Sequence, residues 1–129
     1  EQYMTKPPDE WLLQADYDMG TADAMFNTGR YIYTVFMCHL SIEKALKGLY
    51  QKRLTELPPK VHNLIYLAEK TGISLPENLN DHMIYLNRLS IPTRYPEDLR
   101  KTQTVLNKEK SFEILEQSRK VLKWIKTQF

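Results

Sequence analysis

The sequence predicts an all-α protein, an up-and-down four-helix bundle with an additional short helix, built as one domain over residues 1–129. Three observations support this class. Apolar residues recur three and four positions apart in several long segments, which is the period of an amphipathic helix. Only 4 of the 129 residues are glycine, and no segment shows the alternation of polar and apolar residues that is typical of a strand.

The first long helix is predicted over residues 9–27. Asp9 follows two prolines and is a suitable N-cap, and Gly29 can adopt the left-handed conformation that ends a helix. The apolar stripe of this helix consists of Leu12, Ala15, Met19, Ala22 and Phe26.

The second helix, over residues 30–55, carries the most informative pattern. Its main stripe consists of Ile32, Val35, Ile42, Leu46 and Leu49. The short turn before it predicts that the first two helices are antiparallel neighbours. Apolar side chains also occupy its other faces, which predicts a two-fold homodimer because a small bundle cannot bury them all. These additional residues are Tyr31, Tyr33, Phe36, Met37 and Leu40.

The second half of the chain predicts shorter elements. A short helix over residues 61–71 ends at Gly72, and a fourth helix over residues 74–89 begins with a capping box of Ser74 and Glu77. Residues 90–98 contain two prolines and no helical period, so we expect a loop there. The last helix begins between residues 99 and 107 and runs to residue 129, with Phe112, Leu115, Leu122, Ile125 and Phe129 on one face.

Composition excludes several classes of function. The 18 basic residues nearly balance the 16 acidic residues, so the totals lack the basic excess of a non-specific nucleic-acid binder. Cys38 is the single cysteine, which excludes an intrachain disulfide. No apolar run reaches the length of a membrane span, and the N-terminal residues lack signal-peptide features, so we predict a cytoplasmic protein without membrane contact.

No sequence motif indicates a cofactor, a metal centre or a catalytic residue. His39 and Glu43 are one helical turn apart, so they could share a metal ion. Alternatively, His39 is hydrogen-bonded inside the bundle or lines a ligand cleft. Lys44 and Lys47 form either a solvated helix face or a row that binds phosphate.

Residues 90–98, SIPTRYPED, contain the most conspicuous polar group. Pro92 and Pro96 restrict the backbone on both sides of Thr93, Arg94 and Tyr95. A hydroxyl, a guanidinium and an aromatic ring suit recognition of a phosphate and a base. The alternative is that Tyr95 packs on the bundle while Arg94 pairs with a carboxylate. His62, at the start of the third helix, is expected to cap or pack.

Three segments together resemble the HEPN family, the "higher eukaryotes and prokaryotes nucleotide-binding" domain: AMFNTGRYIYTVFMCHLSIEKALKGLY, HNLIYLAE and LNRLSIPTRYPED. The resemblance implies a helical bundle similar to the C-terminal domain of aminoglycoside nucleotidyltransferases. It also implies frequent homodimerisation and pairing with a separate minimal nucleotidyltransferase subunit.

Many HEPN proteins are metal-independent RNases that use an arginine followed four to six residues later by a histidine. Arg94 matches the arginine, but no histidine follows it in this chain. The chain therefore resembles a branch with an Arg-Tyr-Pro loop that lacks the RNase motif. We predict a non-catalytic nucleotide-binding module, with an RNase toxin of a toxin–antitoxin pair or a ligand-free structural dimer as alternatives. The predicted binding residues for a nucleotide or RNA are Arg94, Tyr95, Lys47, Lys44 and His39.

Overall fold

A computed structural model describes residues 6–129, and these residues form helices and connecting turns without any strand. The all-α prediction is confirmed. In chain order the helices are α1 (Pro8–Asn27), α2 (Tyr31–Leu54), α3 (Leu64–Thr71), α4 (Glu77–Arg88), α5 (Ser90–Arg94), α6 (Leu99–Val105) and α7 (Lys108–Lys126).

Helix α2 lies at the centre of the bundle and packs against α1, α3 and α7. The apolar stripes predicted for α1 and α2 lie in the core, except that Leu12 and Phe26 are only partly buried. The α7 stripe is buried at Leu115, Leu122 and Ile125, whereas Phe112 is half exposed and packs on the Phe26 ring at 5.6 Å between centroids. None of the helices within residues 6–129 is both long and apolar enough to cross a membrane.

The predicted helix starts are correct at some boundaries and wrong at others. Helix α1 begins at Pro8, so Asp9 lies in the first turn and does not cap it. The capping box of Ser74 and Glu77 is also wrong, because α4 begins at Glu77 and its N-cap is Pro76. Proline disfavours a helical conformation in the preceding residue, here Leu75, so the helix cannot begin earlier.

The loop predicted for residues 90–98 is wrong in its first half, which forms helix α5. Pro92 is the third residue of α5. A helix tolerates proline in its first turn because the missing N–H has no acceptor within the helix at that position. The single helix predicted at the C-terminal end is likewise two helices. The Asn107 side chain accepts a hydrogen bond from the Lys110 amide at 2.9 Å and starts α7 as a separate element.

Gly48 allows α1 and α2 to approach closely. A Cβ atom at this position would lie 2.7 Å from the Trp11 Cβ and 3.0 Å from the Pro8 carbonyl oxygen. Neither of these two atoms can move away without shifting α1. The absence of a side chain at Gly48 is therefore a condition for the observed packing of the N-terminal half of α1.

We predict that Gly48→Ala destabilises the protein by about 1–3 kcal/mol, because overpacking outweighs the higher helix propensity of alanine. Gly20 is the matched control, since a Cβ there meets nothing within 4 Å. Gly20→Ala should stabilise by about 0.5–1 kcal/mol. Urea unfolding of both variants measures the difference, and equal stabilisation by both substitutions would contradict the close approach.

Candidate functional site

A buried carboxylate, Glu43, lies at the centre of α2 with only 3% of its surface exposed. One oxygen, Oε2, accepts a hydrogen bond from Lys47 Nζ at 3.0 Å, one turn further along the helix. His62 Nδ1 lies 2.9 Å from Oε1 and 3.1 Å from Oε2. A buried charge is tolerated only when it is paired and hydrogen-bonded, and Glu43 satisfies this requirement with two partners from different parts of the chain.

His62 is placed by the caps at the start of α3. The Asn63 side chain accepts a hydrogen bond from the Tyr66 amide at 3.0 Å, and Asn87 of α4 accepts one from the Leu64 amide at 2.8 Å. His62 itself does not cap the helix, and its side chain is 60% exposed. Glu43 occupies the Nδ1 side of the His62 ring, so Nε2 is the ring nitrogen left for a ligand.

His39 lies one turn before Glu43 and is fully buried. Its Nδ1 is 3.8 Å from Glu43 Oε1, which is too far for a hydrogen bond. Within residues 6–129, neither ring nitrogen has a hydrogen-bond partner. Burial lowers the pKa of His39 to about 4, an effect that the Glu43 charge opposes and that the Arg94 charge reinforces. His39 is therefore neutral at pH 7.

Arg94, at the end of α5, is held against the same stretch of α2. Its Nη1 donates hydrogen bonds to the Ser90 hydroxyl at 2.7 Å and to the Ser90 carbonyl at 3.4 Å. The guanidinium carbon lies 4.8 Å from the centre of the Phe36 ring, within cation–π range. Because Phe36 precedes His39 by three residues on α2, the positive charge of Arg94 lies close enough to depress the pKa of His39.

The remaining predicted site residues lie elsewhere. Lys44 Nζ is 3.0 Å from Oδ2 of Asp18, a buried carboxylate on α1. Consecutive helix residues point about 100° apart, so Lys44 and Glu43 face different neighbours. Tyr95 is 72% exposed and borders a cleft of about 360 Å³ between α5 and α6. The structure thus brings His39, Lys47 and Arg94 to one side of α2 and leaves Lys44 and Tyr95 outside that group.

The polar cluster formed by His39, Glu43, Lys47, His62 and Arg94 includes two residues that the sequence does not identify as binding residues. The sequence indicates Glu43 only as a partner of His39, and His62 only as a cap or a packing residue. A glutamate in the middle of an otherwise apolar stripe signals a buried charge that needs a cation. The residue that meets it, His62, is 19 positions away, and helical periodicity cannot predict that contact. Within the described residues, no group of three His, Cys, Asp or Glu side chains is arranged to hold a metal ion.

Comparison with known proteins agrees with this architecture. The family model described as HEPN domain matches residues 8–128. The chain belongs to the HEPN domain family. No curated protein shows a significant match.

Two solved structures share the fold. The crystal structure of TT1696 from Thermus thermophilus superposes with a TM-score of 0.80 at 24% identity, covering 95% of this chain and 98% of TT1696. The structure of ST0689, an archaeal HEPN homologue, superposes with a TM-score of 0.78 at 24% identity, covering 96% and 98% of the two chains. The HEPN resemblance inferred from the sequence segments is therefore confirmed.

His39 makes a testable contribution to the pH dependence of stability. Its folded-state pKa of about 4 lies below the ordinary value of 6.5, so the unfolded chain binds the additional proton between these pH values. Stability conferred by neutral His39 is complete above pH 6.5 and decreases as the pH falls towards 4, by roughly 3 kcal/mol at about 1.4 kcal/mol per pKa unit.

We predict that His39→Leu removes most of this acid-induced loss and is neutral or stabilising at pH 7, because leucine replaces two buried ring nitrogens that have no hydrogen-bond partner within residues 6–129. Urea unfolding at pH 7 and pH 4.5 provides the measurement. His82 also has a pKa lowered to about 4, mainly by burial, so some acid sensitivity should persist in the variant. An unchanged pH slope would show that His39 is not held neutral by the fold.

Proposed function

We propose that this HEPN protein is a nucleotide-binding module whose phosphate-binding groups are Arg94 and His62. One observation carries the proposal. Two cationic or hydrogen-bonding side chains from different segments contact the same stretch of α2: Arg94 of α5 lies 4.8 Å from the centre of the Phe36 ring, and His62 of the α2–α3 connection lies 2.9 Å from Glu43 Oε1. An orienting contact holds each of them, Ser90 for Arg94 and Glu43 for His62.

Arg94 has the geometry required for an anion. Both of its hydrogen bonds within the described residues use Nη1, so Nε and Nη2 remain available as a two-pronged donor for phosphate oxygens. The contacts with Ser90 and Phe36 restrict the side chain before a ligand arrives. Less conformational entropy is then lost on binding. Tyr95, the next residue along the chain, is exposed and suits stacking on a nucleobase.

The lysines contribute to the site indirectly. Lys47 compensates the charge of buried Glu43, and Lys44 compensates buried Asp18. Each lysine is therefore committed to an internal carboxylate and offers little net charge to a phosphate. Lys47 and neutral His39 form the wall behind His62, whereas Lys44 stabilises the contact between α1 and α2.

A separate nucleotidyltransferase subunit is the proposed partner, because the site provides binding groups without an evident catalytic machinery for nucleotidyl transfer. In this arrangement Arg94 and Tyr95 form one wall of the nucleotide-binding cleft, and Tyr95, which is 72% exposed, is accessible to the partner.

Arg94→Ala should weaken binding of ATP or GTP by about 1.5–3 kcal/mol, the usual contribution of hydrogen bonds to a charged group. Arg94→Lys should restore only part of the affinity, because an ammonium group cannot reproduce the guanidinium fork. Isothermal titration calorimetry measures both. The matched control is Arg100→Ala, which removes an exposed arginine of α6 outside the cluster. Absence of nucleotide binding by the wild-type protein, or an equal loss in the control, would contradict the proposal.

RNA cleavage is a second candidate function, favoured by the contact between His62 and Glu43. A histidine with Nδ1 held by a carboxylate can act as a general base through Nε2. In this scheme His62 removes the proton of a ribose 2′-hydroxyl as that oxygen attacks the adjacent phosphorus, and Arg94 binds the phosphate oxygens. The bond from phosphorus to the 5′-oxygen breaks, and the leaving oxygen takes a proton from water. The products are a 2′,3′-cyclic phosphate and a 5′-hydroxyl.

The same approach separates the two functions. His62→Ala and Glu43→Gln should abolish cleavage of a labelled single-stranded RNA if cleavage occurs, and Arg100→Ala should not. Wild-type protein that binds nucleotide but leaves the RNA intact over hours supports the non-catalytic module alone. The toxin role of a toxin–antitoxin pair depends on this cleavage activity.

The homodimer predicted from α2 remains a proposal. In the structure, however, α2 is not the helix that offers the most suitable surface for it. Of the five additional apolar residues of α2, only Tyr33 is exposed, and the other four are partly buried within the chain. Helix α6 exposes more apolar surface, at Leu99 and Val105. We therefore propose that two copies associate through α6.

Val105→Lys should shift the protein towards monomer in sedimentation velocity at micromolar concentration, because a charge replaces an apolar contact at the interface. Leu13→Lys, an equally exposed position on α1, should leave the distribution unchanged. A wild-type protein that sediments as a monomer throughout this range would refute self-association.

A further inference from the structure

A large cleft lies at the N-terminal end of α2, away from Glu43 at the centre of that helix, and the proposed function does not use it. It has a volume of about 720 Å³, within the range of about 300–1,000 Å³ typical of small-molecule sites. Its walls are residues 28–30 of the α1–α2 turn, residues 31–33 at the start of α2, two residues of α6, and residues 106–108 at the junction of α6 and α7. Tyr31 and Glu43 are 12 residues apart in one helix, which corresponds to about 18 Å.

The charges of this cleft are not compensated. Arg30 and Lys108 both line it, and none of its 11 lining residues is acidic. Within residues 6–129, neither Arg30 nor Lys108 has a carboxylate within 4 Å, whereas several other basic residues form ion pairs, namely Lys44, Lys47, Arg119 and Lys126. The cleft therefore combines two unpaired positive charges with a concave surface.

The uncharged groups that line the cleft are mainly hydrogen-bond donors and aromatic rings. The side-chain oxygen of Asn107 already accepts from the Lys110 amide at 2.9 Å, so its Nδ2 is the group available to a ligand, and Gln103 provides a second amide. Tyr31 is fixed against Phe26, with ring centroids 5.5 Å apart. Tyr33 also lines the cleft and is 53% exposed, but its side chain points about 200° around the helix from that of Tyr31. The Tyr31 ring suits contact with a flat ring, whereas the donors suit an anionic group.

We propose that this cleft is a second binding site, for a small molecule in which a planar ring is joined to an anionic group. A nucleoside monophosphate and an aromatic carboxylate share this chemistry. Arg30 and Lys108 bind the anionic group, and Tyr31 contacts the ring. The site is separate from Arg94 and His62, so ligand binding there does not depend on the proposed function.

The test is a titration of the ¹⁵N-labelled protein with AMP, benzoate, neutral adenosine and inorganic phosphate, followed by two-dimensional NMR. Amide shifts at residues 28–33 and 99–108 with AMP or benzoate are the expected result. If AMP alone binds there, the anionic group is a phosphate. If benzoate alone binds, it is a carboxylate. Adenosine and phosphate should each bind at least tenfold more weakly than the better ligand, because each lacks one half of the recognised chemistry.

Variants locate the site. Arg30→Ala and Lys108→Ala should each weaken binding at the cleft about tenfold, whereas Arg94→Ala and the matched control Arg100→Ala should leave it unchanged. All of these side chains are exposed or partly exposed, so the variants should share the wild-type fold. Shifts confined to the region of Arg94 and His62, an equal loss in Arg100→Ala, or no shifts at millimolar ligand would overturn the proposal.

Discussion

The centre of this protein depends on the contacts that the buried carboxylate of Glu43 makes with Lys47 and His62. The carboxylate is buried in the helix that contacts most of the bundle, and it would be strongly unfavourable there without Lys47 and His62. Those two contacts have different consequences. The Lys47 contact lies within α2 and fixes the charge, whereas the His62 contact joins α2 to the segment that enters α3. The same carboxylate therefore balances a buried charge and orients an exposed imidazole.

Helix α2 accommodates this polar cluster because the rest of its surface is well packed. Its apolar stripe is fully buried at four positions, and Gly48 lets α1 lie directly against it. The proposed binding site is thus supported by the most densely packed element of the protein. The groups that would touch a ligand, Arg94 and His62, come from short segments beside that element. Binding sites commonly combine a rigid, well-packed element with ligand-contacting side chains on the shorter segments beside it.

Much of the fold could be predicted from the sequence because it depends on local periodicity. The stripes of α1, α2 and α7 and the turn at Gly29 follow from spacing and backbone preference alone. The errors arise where two local signals conflict. Pro92 indicates a break in the helix, although it lies in the first turn of α5, and Ser74 matches a capping motif that Pro76 makes impossible.

The candidate site could be predicted only in part. His39 and Lys47 could be placed on α2 from their positions in the helical repeat, and Arg94 was identifiable from the two prolines beside it. The contact between Glu43 and His62 could not be predicted, because it depends on how α3 docks against α2. Local spacing carries no information about that docking.

The caps of α3 also connect parts of the protein that are distant in sequence. The side chain of Asn87, near the end of α4, accepts a hydrogen bond from the Leu64 amide, and the side chain of Asn63 accepts one from the Tyr66 amide. Helices α3 and α4 are thereby tied together at the point where the chain leaves His62. A tilt of α4, for example on contact with another protein, would displace the backbone of His62 as well. A surface far from the imidazole could in this way change its alignment without touching any residue of the cluster.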